Sequence, residues 1–149
     1  MPYGNVRMLD LSGGAVIGLD TNVIVRYVTQ DEPLQSAKAT AFVEALSSDS
    51  PGFITIVSMV ELVWVLASCY RATKGQVAVV IETVLRSKEL VVERADIIWQ
   101  ALGVYRRDSK ADFADCLIER SANAAGCDYI ATFDRQAASA GGMRSIGQG

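Results

Sequence analysis

Short apolar stretches that stop abruptly and give way to helical periodicity run the length of this 149-residue sequence. That alternation limits the fold more than any other feature. Strand-like runs occupy residues 15–19, 53–56, 90–92 and 129–133, with an edge strand expected at 143–146. Helices are expected over 22–28, 33–46, 74–86, 95–106 and 112–125, the last stopped by Gly126. Gly103 weakens the 95–106 pattern slightly. The helix from Pro33 sets Ala37, Ala41, Phe42 and Ala45 on one stripe. Ser58 reads as the N-cap of a helix carrying Glu61, Leu62, Val65 and Leu66. That helix is apolar almost all round, so it should be buried. Asp134 opens a final helix, ended by Gly141-Gly142. Four- and five-residue strands alternating with longer helices give an α/β fold, with a mostly parallel sheet flanked by helices. Residues 1–14 lack periodicity and end in Ser12-Gly13-Gly14, so they read as a flexible extension before a single domain over 15–149.

Composition excludes much chemistry. The chain has no histidine, which removes Ser-His-Asp and Cys-His nucleophile systems and histidine-containing zinc sites. The 3 cysteines are scattered, which argues against a disulfide framework or a thiolate metal site and for small core packing roles. Half of the residues are apolar, enough for a core without staples. No run is long enough to span a bilayer and no secretory leader is evident, so the cytoplasm is the expected compartment. The net charge of −3 counts mildly against nucleic acid, unless several acids are gathered around a cation.

The positions of the acids carry the functional argument. Asp20 follows the first strand, Glu61 lies one turn past the second, and Asp134 follows the strand ending at Phe133. In an open parallel sheet these junctions share the carboxyl edge, where ligands bind, so distant acids are expected to converge. Asp112 and Asp115, three apart, share a helix face. Each acid has a plainer explanation: Asp20 and Asp134 suit N-caps, and Ser58-x-x-Glu61 and Asp112-x-x-Asp115 resemble capping boxes. Gathered carboxylates would repel one another unless a cation neutralised them. Magnesium and manganese prefer such oxygen ligands. A carboxylate metal site with no histidine base points toward phosphate-ester hydrolysis.

Four segments, VIGLDTNVIVRYV, TIVSMVELVWVL, ADFADCLIERSANAAGC and YIATFDRQA, resemble the successive motifs of PIN-domain ribonucleases, most of all the toxins of VapBC-type modules. The resemblance runs from Val16 to about Ile146. It implies a PIN-like α/β/α sandwich and a magnesium- or manganese-dependent endoribonuclease. It assigns catalysis and metal binding to Asp20, Glu61, Asp115 and Asp134, with Asp112 auxiliary. Thr21, Asn22, Ser58 and Thr132 are polar neighbours able to fix carboxylates or water. It further implies a homodimer, an RNA substrate and a small antitoxin, with no membrane involved. Members of the family tend to start just before the first strand, so residues 1–14 are extra: a vector-derived or misassigned start is the favoured reading, and a true extension the alternative.

Among Lys38, Arg71, Lys74, Arg106, Arg107, Lys110, Arg135 and Arg144, Arg135 is the best candidate for RNA contact, because it adjoins Asp134; solvated surface is the expectation for most. Trp64 and Trp99 are expected in the core or an oligomer interface. Two other classes remain open. A haloacid-dehalogenase-like phosphohydrolase wants Asp-x-Asp after its first strand, and Asn22 stands there instead. A non-catalytic receiver or binding module wants a lysine after a late strand, and that strand ends in Phe133-Asp134.

Overall fold

The computed structural model describes residues 14–140 and 142–147. The expected extension falls almost wholly outside the described residues, as does Gly141. The chain forms two compact units, Met1–Ala95 and Asp96–Gly149.

In the first unit, β1 (Ile17–Gly18), β2 (Gly52–Ile54) and β3 (Leu90–Val92) form a parallel sheet in the order β1-β2-β3. Gly52 is required where β2 begins, because a Cβ there would lie 2.9 Å from a Leu19 methyl carbon. The helices are α1 (Thr21–Thr29), α2 (Pro33–Glu44), α3 (Ile56–Cys69) and α4 (Lys74–Arg86). α1 closes on Gln30 in the left-handed conformation, φ 55°. α4 starts with a full capping box between Thr73 and Gln76.

Two sequence expectations fail here. The α2 stripe is wrong: Ala37, Ala41, Phe42 and Ala45 are exposed, while Ser36, Ala39, Val43 and Leu46 are buried. Small residues surround this helix, so its periodicity marks no face, and packing against α1 decides which side is covered. α3 is not buried all round. Met59 and Leu62 are fully buried, each contributing roughly 1.5–3 kcal/mol. Val57 and Trp64, seven residues apart on another face, remain 67 % and 63 % exposed.

In the second unit, α5 (Ala95–Arg107, its first residue shared with the first unit), α6 (Phe113–Ala124) and α7 (Arg135–Ala140) accompany β4 (Ala131–Thr132) and β5 (Arg144–Ser145). The two strands pair in parallel as a second sheet. All described strand pairs are therefore parallel, as expected, but they fall in two sheets. Ile98, Leu102, Phe113 and Cys116 are buried in the core. The Phe113 ring meets Tyr105 edge-on, with centroids 5.6 Å apart. Gly126, at φ 91°, ends the α6 region as expected. Of the cysteines, Cys116 alone is buried; Cys69 and Cys127 are exposed, against the expectation of core roles. Trp99 is partly exposed, 37 % accessible. Among the described residues, no helix is long and apolar enough to cross a membrane.

Candidate active site

The first unit supplies two acids. Asp20 caps α1: its backbone is extended and its carboxylate accepts from the Thr21 amide at 2.7 Å. Thr21 is buried, and its hydroxyl lies 2.6 Å from a Glu61 carboxylate oxygen and 3.1 Å from the Ser58 hydroxyl. Thr21 has one hydroxyl proton, and the carboxylate is its stronger acceptor. Ser58 therefore completes the chain by donating back to Thr21. This Ser58–Thr21–Glu61 series ties the end of the first strand to the helix after the second. Asn22 is exposed beside it. Asp20 and Glu61 stand at one part of an open groove of about 720 Å³ whose other walls include Val25, Val60, Trp64 and Val65.

Ser58 is free for this contact because it is not the N-cap. Thr55 takes that role, its hydroxyl accepting from the Ser58 amide at 3.1 Å, so α3 begins three residues earlier than the sequence indicated. The strand ends sooner, at Ile54, and the first extended residue able to cap is Thr55. Consequently Glu61 lies in the second turn, outside any capping box.

Glu93 is a further acid at a strand end, not among those singled out from the sequence. It follows β3, and its carboxylate accepts from the Ile56 amide at 2.9 Å, satisfying an orphan donor at the start of the helix that carries Glu61. The signal was present: Glu93 follows a strand just as Asp20 does. At the far end of α1, Asp31 accepts from the Tyr70 hydroxyl at 2.6 Å and pairs with Arg26 at 3.4 Å. The Tyr70 and Thr29 hydroxyls hold the Asp31 carboxyl below its usual range.

The second unit supplies the other acids. Asp112 has the extended backbone of an N-cap, but its side chain makes no capping hydrogen bond. Its expected capping role is thus correct for the backbone and wrong for the carboxylate. Asp115 sits in the first turn of α6. Partial burial raises its pKa, and the charges of Asp112 and Asp134 raise it further. Burial raises the Tyr105 pKa as well, aided by Asp112. Asp134 begins α7: one carboxylate oxygen accepts from the Gln136 amide at 2.8 Å, and the Asp134 amide donates to the Thr132 hydroxyl at 3.0 Å. Arg135 is exposed.

Asp20 and Glu61 in the first unit, and Asp115 and Asp134 in the second, each offer only oxygen donors, the kind a hard divalent cation takes. The Asp115 pKa is raised first by burial and then by the charges of Asp112 and Asp134, and the second part is a cost that a cation would relieve. Among the described residues, no three acid or cysteine side chains come together closely enough to hold a metal ion.

The PIN domain family model matches residues 17–142 and so runs through both units. A VapC ribonuclease from Aquifex aeolicus (strain VF5) is 25 % identical over 118 residues, covering 79 % of this chain and 87 % of that protein. With the family match spanning most of its length, this chain belongs to the PIN domain family.

Proposed function

We propose that this chain is a divalent-metal-dependent endoribonuclease, acting in the cytoplasm as the toxin of a type II toxin–antitoxin pair. Residues 15–149 act as one PIN-type domain, a reading supported by a family match that runs through both units. The observation that carries the proposal is the Ser58–Thr21–Glu61 series, which fixes an acid of the second motif through a residue of the first. Asp20, Glu61, Asp115 and Asp134 are the residues assigned to catalysis and to magnesium or manganese. When bound, the cation would activate water and offset charge on the phosphate oxygens. The chain's own part is to aim its carboxylates: Thr21 orients Asp20 through its amide and Glu61 through its hydroxyl, while the first amides of α7 orient Asp134.

Purified protein is expected to cleave RNA with magnesium or manganese and to lose that activity in a chelator. Undiminished cleavage in the chelator refutes the metal assignment. No cleavage of structured or single-stranded RNA with either metal refutes the nuclease.

The partners proposed are a second copy of the chain and a short antitoxin. Support comes from the exposed Val57 and Trp64 and from the groove that joins apolar walls to Asp20 and Glu61. That groove fits an amphipathic segment bearing an arginine or lysine. Light scattering is expected to give a dimer, and the product of the neighbouring gene is expected to bind and suppress cleavage. A strict monomer indifferent to that product would sink both partner assignments.

A further inference from the structure

Phe133 is the most exposed large hydrophobic residue among those described, at 78 %. It is joined directly to Asp134. Its neighbours are fixed on both sides. The Thr132 carbonyl accepts from the Ile146 amide at 2.9 Å, the Thr132 hydroxyl accepts from the Asp134 amide at 3.0 Å, and the Asp134 carboxylate accepts from the Gln136 amide at 2.8 Å. The ring rests against Gly147, where an added Cβ would lie 3.0 Å from a ring carbon. The backbone on either side is held in place, and the glycine lies against one side of the ring while most of its surface stays open. An apolar ring so presented, next to an acid assigned to phosphodiester cleavage, fits the flat face of a nucleobase.

We propose that Phe133 is a stacking platform for one unpaired base of the RNA substrate. The inference rests on the nuclease reading above and names a residue that holds its substrate. Bases within a duplex are already stacked on their neighbours and cannot cover an isolated ring, whereas an unpaired base can. The chain also carries a net charge of −3, so general attraction to phosphates gives it little affinity. Stacking is indifferent to that charge.

The test uses the full chain, a short single-stranded RNA, a matched duplex and a series of single-stranded RNAs each lacking one base. Binding is followed by fluorescence anisotropy in a chelator, so that cleavage does not intervene. Phe133→Ala is expected to weaken single-strand binding roughly 10-fold, with Phe133→Tyr restoring it and duplex binding unchanged. One abasic position should weaken wild-type binding by a similar factor and have no effect on Phe133→Ala. Gly147→Ala, which pushes on the ring, should give an intermediate loss. Equal single-strand binding by wild type and Phe133→Ala overturns the proposal. So does an equal loss for duplex, or a Phe133→Ala chain that binds RNA normally but fails to form dimers, which would assign the ring to a protein contact. The two readings fail separately. Metal-dependent cleavage with no Phe133-dependent binding leaves the nuclease standing alone, and Phe133-dependent binding without cleavage leaves the platform standing alone.

Discussion

Asp115→Asn is expected to lower RNA cleavage by orders of magnitude and, in a metal-free buffer, to leave the thermal midpoint unchanged or raise it. The two effects share one cause. Asp115 is partly buried and faces the charges of Asp112 and Asp134, so its folded-state pKa lies above the unfolded value. Its ionised form therefore costs stability at neutral pH. That cost is relieved as pH falls through the raised folded pKa, and it vanishes below the unfolded value of about 3.9. Asparagine keeps the shape and removes the charge, so the variant should lack this low-pH gain. Asp31 works in the opposite sense. Its pKa is lowered in the fold, so its contribution is present above the unfolded pKa and is lost as pH falls through the folded one. Magnesium should raise the wild-type midpoint more than that of Asp115→Asn, because the variant has less repulsion to relieve. Asp112→Asn should reduce activity less, and since its side chain caps nothing, its midpoint should also hold. Melting across a pH series, once in chelator and once with magnesium, alongside a cleavage assay with the metal present, checks all of this. An active Asp115→Asn, or one that melts well below wild type at neutral pH, refutes the account.

Phe113→Ala is expected to destabilise the protein by about 3–5 kcal/mol, lowering the midpoint by roughly 10 °C or more. Phe113 is fully buried, packs edge-on against Tyr105, and opens the helix that carries Asp115. Truncating it leaves a cavity under the first turn of α6, so cleavage should fall together with stability. Phe133→Ala makes the informative comparison: the same chemical change at a residue 78 % exposed should leave the midpoint within about 0.5 kcal/mol of wild type. Calorimetry on the two variants decides the point. A loss below about 1 kcal/mol at Phe113 would mean that this core is not as closely packed as its burial indicates.

Where the sequence carries a strong local signal, the structure follows it. α4 and β3 fall on the expected residues, because a capping threonine and a short β-branched run leave little choice. Gly126 marks the close of the α6 region for the same kind of reason, since its positive φ is cheap for glycine alone. Asp20 and Asp134 were legible as strand-to-helix residues, and both do cap the helices they precede. The family was legible as well, from four motifs in order.

The start of α3 was less legible. Thr55 and Ser58 are both good capping residues, and only the length of β2, set by its pairing with β1 and β3, decides between them. The buried side of α2 was hidden because a helix of small residues has no intrinsic face.

By itself, then, the sequence determined the parallel α/β character, the helix ends with strong caps, and which acids stand at the ends of strands. These follow from backbone preferences and from hydrophobic period, which act over a few residues. Tertiary structure alone decided that Thr21 meets Ser58 and Glu61, 37 and 40 residues away, that Glu93 caps the start of α3, that Asp112 leaves its helix uncapped, and that Phe133 stays in water. Hydrogen bonds and burial of that kind depend on which distant surfaces meet, and local preference carries no record of it.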